Sequence, residues 1–508
     1  MTKIHMTKLA LLGATAFFAA TSAHAQVADS WTIAGDVNVS ALNTGAVLND
    51  PVNGGTVAGI ESPEITAGYK NSISGATVGA SASSGFSSVN NSGVGGDAAV
   101  EFGGAVTVVA GSASDVGNNT DIITGATIGG GNANSISLAA VGSSASVSGS
   151  TTLTDVAGAA VPDGETFAYT SGQLIVSSGA ADGSVDAADA TVGGNAGAVT
   201  LSLATGLTAP SIAGGNGNSI SVAGLGSSAS ASFSAAVDGD GSVLDSFDLT
   251  LADGALISSA NDAAGAIAVG LGAGATTPAI AGGNANAISA AALGSSASFS
   301  LASGTSGGGV VTAFNAAVGE LVVDSTNAGA VTLGGDVDGT AQATYDDASI
   351  SGAGNNNSIS AAALGSSGSV SYANTVFDTG GGAAAGDVSF DAITVNSTNS
   401  GDIINNVNLT TGGNIDGGAK NSISIAGLGA SASQSISITD NSGAGVTGVA
   451  TAIGSDITLA AVNSGAVSVL GGGLQTAVIA EGFSNSVSAA AVGASASQSV
   501  SRTVLLTQ

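Results

Sequence analysis

The sequence predicts an all-β protein, a β-solenoid of the parallel β-helix kind, and three observations carry that prediction. The first is repetition. The stretch Asn421-Ser-Ile-Ser-Ile-Ala-Gly-Leu-Gly-Ala-Ser-Ala-Ser has near-copies that begin at Asn71, Asn134, Asn218, Asn286, Asn357, Asn421 and Asn485. The second is alternation: Leu293, Ser295, Ala297 and Phe299 fall on one face of an extended chain and Ser296, Ser298 and Ser300 on the other, the period of two that a strand imposes. The third copy (Leu225 to Phe233 against Ser228 to Ser234) and the seventh (Val492, Ala494, Ala496 and Val500 against Ser495 to Ser501) have the same phase. The third is spacing. A second motif, Asn-(Ala/Ser)-Gly-(Ala/Asp)-(Val/Ile), begins at Asn195, Asn327, Asn399 and Asn463, with weaker forms at Asn43, Gly103 and Ala264. It lies 42 residues after Asn421 and 22 before Asn485, and the same intervals separate Asn357, Asn399 and Asn421. These intervals predict coils of about 21–22 residues, three to each 64-residue repeat, because such a unit holds two or three short strands and their corners.

Taken in order, the chain opens on a stretch with the features of a secretory signal. Lys3 and Lys8 make a basic start, residues 9–20 are apolar, and Ala23-His24-Ala25 is a small-x-small cleavage site. Residues 1–25 are therefore read as a signal peptide and 26–70 as an N-terminal cap with the first coils. Repeats follow at 71–133, 134–217 (with an insertion), 218–285, 286–356, 357–420 and 421–484, and 485–508 forms a final partial repeat and C-terminal cap. Polar stretches at 151–166, 182–190 and 339–356 are the expected insertions at corners. About 21 coils at ~4.8 Å spacing would give a rod on the order of 100 Å long. Trp31, the one tryptophan, is expected to cap the first coil.

The motif asparagines are expected to form a structural corner ladder. Asn tolerates the left-handed backbone that corners require, and its amide can bond the equivalent amide one coil away. Lys70 and Lys420 directly precede two of these asparagines, which predicts a shared corner role. The tail, 503–508, is expected to cap the last coil or to pair with another subunit.

Composition excludes much chemistry. The net charge is −30, yet only 8% of residues are charged, so the balance opposes binding to nucleic acid while leaving the chain poor in reactive groups. There are no cysteines, and both histidines lie within residues 1–25. Without that segment no Ser-His-Asp or Cys-His nucleophile and no His- or Cys-based zinc site can be built. Paired carboxylates such as Asp346 and Asp347 lack a basic clamp nearby, so no enzyme is expected and no cofactor is required. Calcium is the one ligand with candidates: Asp238 with Asp240, and Asp336 with Asp338, are closely spaced hard oxygens beside glycines. Solvated turn carboxylates are the better account of them, since neither pair continues into a full calcium loop. No transmembrane segment is read, since the uncharged runs are broken by Gly and Pro.

The unit size, the Gly-Gly-Asn-x-Asn lead-ins at 214–218 and 282–286, and the Ser/Ala/Asn-rich strands resemble those of secreted bacterial β-strand-repeat proteins. That group includes surface adhesins and curlin- or Fap-like extracellular fibre subunits. Curlin repeats carry regularly spaced glutamines, and this sequence departs from that pattern, with only Gln434 and Gln498 at a repeat position. The resemblance covers most of residues 37–505. It implies a secreted, non-catalytic structural or adhesive protein of the cell surface or biofilm matrix, with self-association or matrix components as partners. The alternative is a ligand-binding solenoid that holds glycan, calcium or ice on its Ser-rich faces or Asp turns.

Overall fold

Among the described residues every strand pairing is parallel, and all but that of Ala16–Phe18 join a segment to its copy one sequence repeat away. The computed structural model describes residues 16–18, 29–49, 64–90, 97–118, 126–154, 165–178, 195–202, 211–239, 242–270, 279–333, 349–351, 354–376, 386–405, 414–440, 449–469 and 478–504. Their strands form a β-solenoid of seven turns. Each turn runs through four sheets, which we call split, inner, narrow and long. The third turn is representative. The split sheet receives Glu165–Ser171 and Leu174–Ser178, the inner sheet Val199–Ser202, the narrow sheet Ser211–Ile212 and the long sheet Ser219–Asp238.

One turn is the whole sequence repeat, which corrects the expected coil of 21–22 residues. Ser135 pairs with Ser72 on one side and Ser219 on the other, and Ser422 pairs with Ser486. The intervals of 42 and 22 residues are arcs of a single circuit: Asn421 stands at the corner between narrow and long sheets, Asn463 at the corner between split and inner sheets. Both corners need the same polar small residues, so both carry similar motifs. Seven turns at ~4.8 Å put the first and last only about 29 Å apart, not 100 Å.

The long strand explains the recurring Leu-Gly. In Ala287–Ser306 the buried apolar side chains are Ile288, Ala290 and Ala292 before the glycine and Ala297, Phe299 and Leu301 after it. Register pairing passes from Leu293 directly to Ser295. The register resumes unshifted after the glycine, so Gly294 and its copies Gly226 and Gly365 bend together, and the inward parity changes while both halves keep facing the interior. Leu293 and Leu225 consequently stay half-exposed, and Val492 is exposed; they do not share the inner face with Ala297 as the simple alternation predicts.

Two cores result. Ile136, Ile220, Ile288, Ile359 and Ile423 of the long sheet pack against isoleucines of the narrow sheet such as Ile128 and Ile212, and against Val199 and Leu201 of the inner sheet. Each buried Ile contributes about 1.5–3 kcal/mol. The second core lies between the far half of the long sheet and the split sheet. Beside small residues such as Ala231 and Ala297 it is filled by aromatic stacks along the axis. Phe86, Phe167, Phe247, Phe314 and Tyr372 follow one another with centroids 5.4, 5.1, 4.7 and 6.2 Å apart. Trp31 starts this column edge-on to Phe86, the capping position expected of it.

Of the expected insertions, 182–190 lies outside the described residues, as does most of 151–166 and of 339–356. The ends of the first of these belong to strands, Ser135–Thr154 and Glu165–Ser171. The C-terminal tail does not fold back as a cap at its start: Ser486–Val504 continues through Thr503 and Val504, paired to Thr439 and Asp440. Among the described residues no helix is long and apolar enough to cross a membrane.

Candidate functional site

The polar groups of this molecule gather in columns parallel to the axis. The first is the predicted corner ladder, and all seven of its residues stand in one line. The backbone N–H of Asn71 donates to Asn134 Oδ1 at 2.9 Å, that of Asn134 to Asn218 at 2.9 Å, and that of Asn218 to Asn286 at 2.9 Å. Asn286 donates to Asn357 at 2.9 Å, Asn357 to Asn421 at 2.8 Å and Asn421 to Asn485 at 2.9 Å. The amide nitrogen turns the other way: Asn218 Nδ2 donates to Gly131 O of the preceding turn and to Gly214 O of its own, both at 2.9 Å. The ladder is therefore backbone to side chain, not the expected amide to amide.

Nor do these asparagines take the left-handed conformation. It falls on the residue before them, Lys70, Ala133, Ala285, Asn356, Lys420 and Ser484, at φ of 55° to 58°. Gly217 holds the equivalent place in the third turn at φ 66°. The ladder residue itself stays outside the left-handed region, and its carboxamide reaches along the axis to the neighbouring turn. Lys70 and Lys420 share the corner role expected of them; the Lys70 ammonium rests 5.0 Å from the Tyr69 ring centroid.

The second motif builds a true amide ladder. Asn195 Nδ2 donates to Asn261 Oδ1 at 3.1 Å, Asn261 to Asn327 at 2.7 Å, Asn327 to Asn399 at 2.7 Å and Asn399 to Asn463 at 2.7 Å. Residues Asn195, Asn261, Asn327 and Asn399 are fully buried, between the two cores. The sequence pattern misplaced two members. Gly103 belongs to another corner, and the partner of Asn43 in the second turn is Ser112. In the fourth turn the ladder residue is Asn261, set back from the Ala264 motif by a longer turn whose Gly265 accepts from it. Ser112 is too short to continue the column, and its hydroxyl turns to Ser114 O. Asn195 Oδ1 is buried with no hydrogen-bond partner.

A third column was not foreseen. Buried Ser143, Ser227, Ser295 and Ser366 on the long sheet meet Ser178, Ser259, Ser325 and Ser397 on the split sheet at 2.8, 2.8, 2.8 and 2.7 Å. The split-sheet hydroxyls also accept from the next turn, as Ser259 does from Ser296 N–H at 3.3 Å. The alternation read these serines as ordinary strand positions. Only the approach of the two sheets makes them partners.

The calcium candidates are not assembled into a site among the described residues. Asp238 ends a long strand, and its Oδ1 accepts from Ser306 Oγ at 2.7 Å. Asp240, Asp336 and Asp338 lie outside the described residues. Among those that are described, no group of three or more His, Cys, Asp or Glu is placed to hold a metal ion. Other corner carboxylates are used structurally: Asp36, Asp115 and Asp402 accept the N–H of Ala105, Ala198 and Ala466 in the following turn at 2.8, 2.9 and 2.9 Å. Burial raises the Asp324 carboxyl above its usual range and pushes the Tyr169 hydroxyl well up. The Tyr169 hydroxyl has no partner.

On the outside of the long sheet the serines of successive turns lie in register. Ser144, Ser228, Ser296, Ser367 and Ser431 form one column, and Ser146, Ser230, Ser298, Ser369 and Ser433 the next. Because one turn is one repeat, this hydroxyl face recurs on every turn instead of every third. Comparison with protein families, with curated proteins and with solved structures found no match.

Proposed function

We propose that this chain is an exported, non-catalytic structural or adhesive protein of the bacterial cell surface or extracellular matrix. The observation that carries the reading is the use of buried polarity. The asparagine and serine columns tie each turn to the next, and satisfied buried networks of this kind confer rigidity and a single register. Rigidity and repetition are the properties a scaffold needs. The signal-like residues 1–25 support export, and the likeness of the Ser/Ala/Asn strands to those of adhesins and fibre subunits supports the surface. Fractionation and surface labelling of cells that produce a tagged chain test the proposal. Recovery with envelope or extracellular material is expected, and recovery confined to the cytoplasm overturns it.

The serine array favours a second reading, a binding face for glycan or ice. Flat, regular hydroxyls at strand spacing present one repeating pattern to a repeating ligand. Measuring ice recrystallisation and polysaccharide pull-down with the parent chain and with a Ser230→Lys, Ser298→Lys double variant separates the two readings. Activity that is lost in the variant favours the binding face; no activity in either leaves the scaffold alone.

A further inference from the structure

Large apolar side chains that remain exposed are confined to the two ends of the solenoid. Among the described residues they fall on the first turn, Leu42, Leu48 and Tyr69 among them, and on the seventh, Val462, Ile479 and Phe483 among them; turns two to six have none. The same two turns expose the edges of all four sheets, unpaired except where Ala16–Phe18 lies against the long strand of the first turn, and such edges are templates for further strand addition.

The ends are also complementary in detail. In each turn the corner asparagine donates its N–H to the next turn's Oδ1 and receives that residue's Nδ2 on a glycine carbonyl. Among the described residues no following turn joins the Asn485 N–H or the amide of Asn463, and no preceding turn reaches Asn71 Oδ1. A second copy whose first turn follows the seventh would continue both asparagine columns: Asn485 N–H to Asn71 Oδ1, Asn71 Nδ2 to Gly482 O, and Asn463 Nδ2 to Asn43 Oδ1.

A further column distinguishes the ends from the middle. Two residues before each corner asparagine stand, in order, Tyr69, Asn132, Asn216, Asn284, Asn355, Ala419 and Phe483. Internal members accept their neighbour's N–H, as Asn132 and Asn216 do at 2.9 Å. Only the terminal members are aromatic, and they are 65% and 67% exposed. Stacked end to end, Tyr69 of one copy lies over Phe483 of another, within the spacing at which aromatic rings attract.

We infer that the partner for these ends is a second copy of this chain, docked head to tail in the register of the internal turns. Such a contact joins two different surfaces and does not close on itself, so it propagates into a filament. Residues Ala16–Phe18 lie parallel against Ser84, Gly85 and Phe86 on the first-turn edge, so the segment read as a signal peptide covers part of the docking face until it is removed. The inference extends the scaffold reading by naming its partner and depends on that reading for its biological use alone.

The chain lacks cysteine, which permits a direct test. In a chain beginning at Gln26, Tyr69→Cys with Phe483→Cys places the thiols about 29 Å apart within one molecule but about 4.8 Å apart, Cα to Cα, across the junction. Mild oxidation is expected to give a ladder of covalent multimers on a denaturing gel and axial filaments in negative stain. Each single variant is expected to give no ladder. The full chain, which retains residues 16–18, is expected to cross-link several-fold less. A double variant that stays a single-chain species overturns the inference, and so does a dimer from Phe483→Cys alone, which would mean tail-to-tail contact. Single particles that still fractionate with the cell surface would leave the scaffold reading intact and remove this one.

Discussion

Asn218 shows how much one buried amide supports here. Its Oδ1 holds the Asn134 N–H, and its Nδ2 holds Gly131 O and Gly214 O. Asn218→Ala removes the partner of the buried Asn134 N–H and one partner from each of two part-buried carbonyls, at about 1–3 kcal/mol for a fully buried group and less for the carbonyls. A loss of about 3–5 kcal/mol in urea unfolding is expected, against about 1 kcal/mol for Asn71→Ala at the exposed first turn. Ser112 is the converse case. Ser112→Asn restores the missing rung of the amide ladder and gives the orphaned Asn195 Oδ1 a donor, so a gain of about 1 kcal/mol is expected by the same measurement. Asp324 predicts a pH effect. Burial raises its folded-state pKa above the unfolded value, so the native state keeps its proton to higher pH than the unfolded chain does. Stability then falls as pH rises between the two values, and the penalty persists at neutral pH. Asp324→Asn should raise the melting temperature at pH 7 and leave it unchanged near pH 3, about a unit below the ordinary Asp value.

The decisive element is the long strand with its interrupted alternation. A methyl group at Gly294 would overlap Asn327 Oδ1 and Gly365 O, and the same two partners confront Gly142, Gly226, Gly365 and Gly429 in their own turns. The glycine lets the sheet close onto the amide ladder and separates the cores. Gly304, in the same strand, has open space, with Thr375 O 4.0 Å from an added Cβ. Gly294→Ala should therefore lower stability by several kcal/mol, about the cost of a strongly overpacked site. Gly304→Ala should be neutral or stabilising by about 0.4–1 kcal/mol. Thermal melts of the pair check this directly. The strands and their period were legible in the serine alternation. The change of phase at Leu293 and Gly294 was not, because small residues occur on both sides of the glycine and hydropathy alone cannot tell which side faces in.

At the scale of the molecule, each turn contacts only the turns beside it, so stability is a sum of nearest-neighbour terms. The first and seventh turns have one neighbour each and expose apolar side chains. Hydrogen exchange should therefore be slowest for the amides of Ser219–Asp238 and Ala287–Ser306 and faster by orders of magnitude for those of Ser486–Val504. In the chain beginning at Gln26, raising the concentration should slow exchange in the end turns selectively, because stacking supplies the missing neighbour. Uniform protection from end to end at high dilution would contradict this distribution.

The sequence by itself determined that the chain is a parallel β-solenoid, which positions stack, and that neither His nor Cys chemistry is open to residues beyond 25. Repetition in register leaves identical residues little choice but to pair with their copies, so Asn71 to Asn485 could be aligned without coordinates. Only the tertiary structure decided how much chain makes one turn, which carbonyls the amides reach, and that Ser143 meets Ser178 or Ser295 meets Ser325. The physical reason is that a repeat interval counts residues along the backbone, whereas a turn closes only where opposing sheets bury each other. Two corners with the same local chemistry look like two coils until that closure is seen.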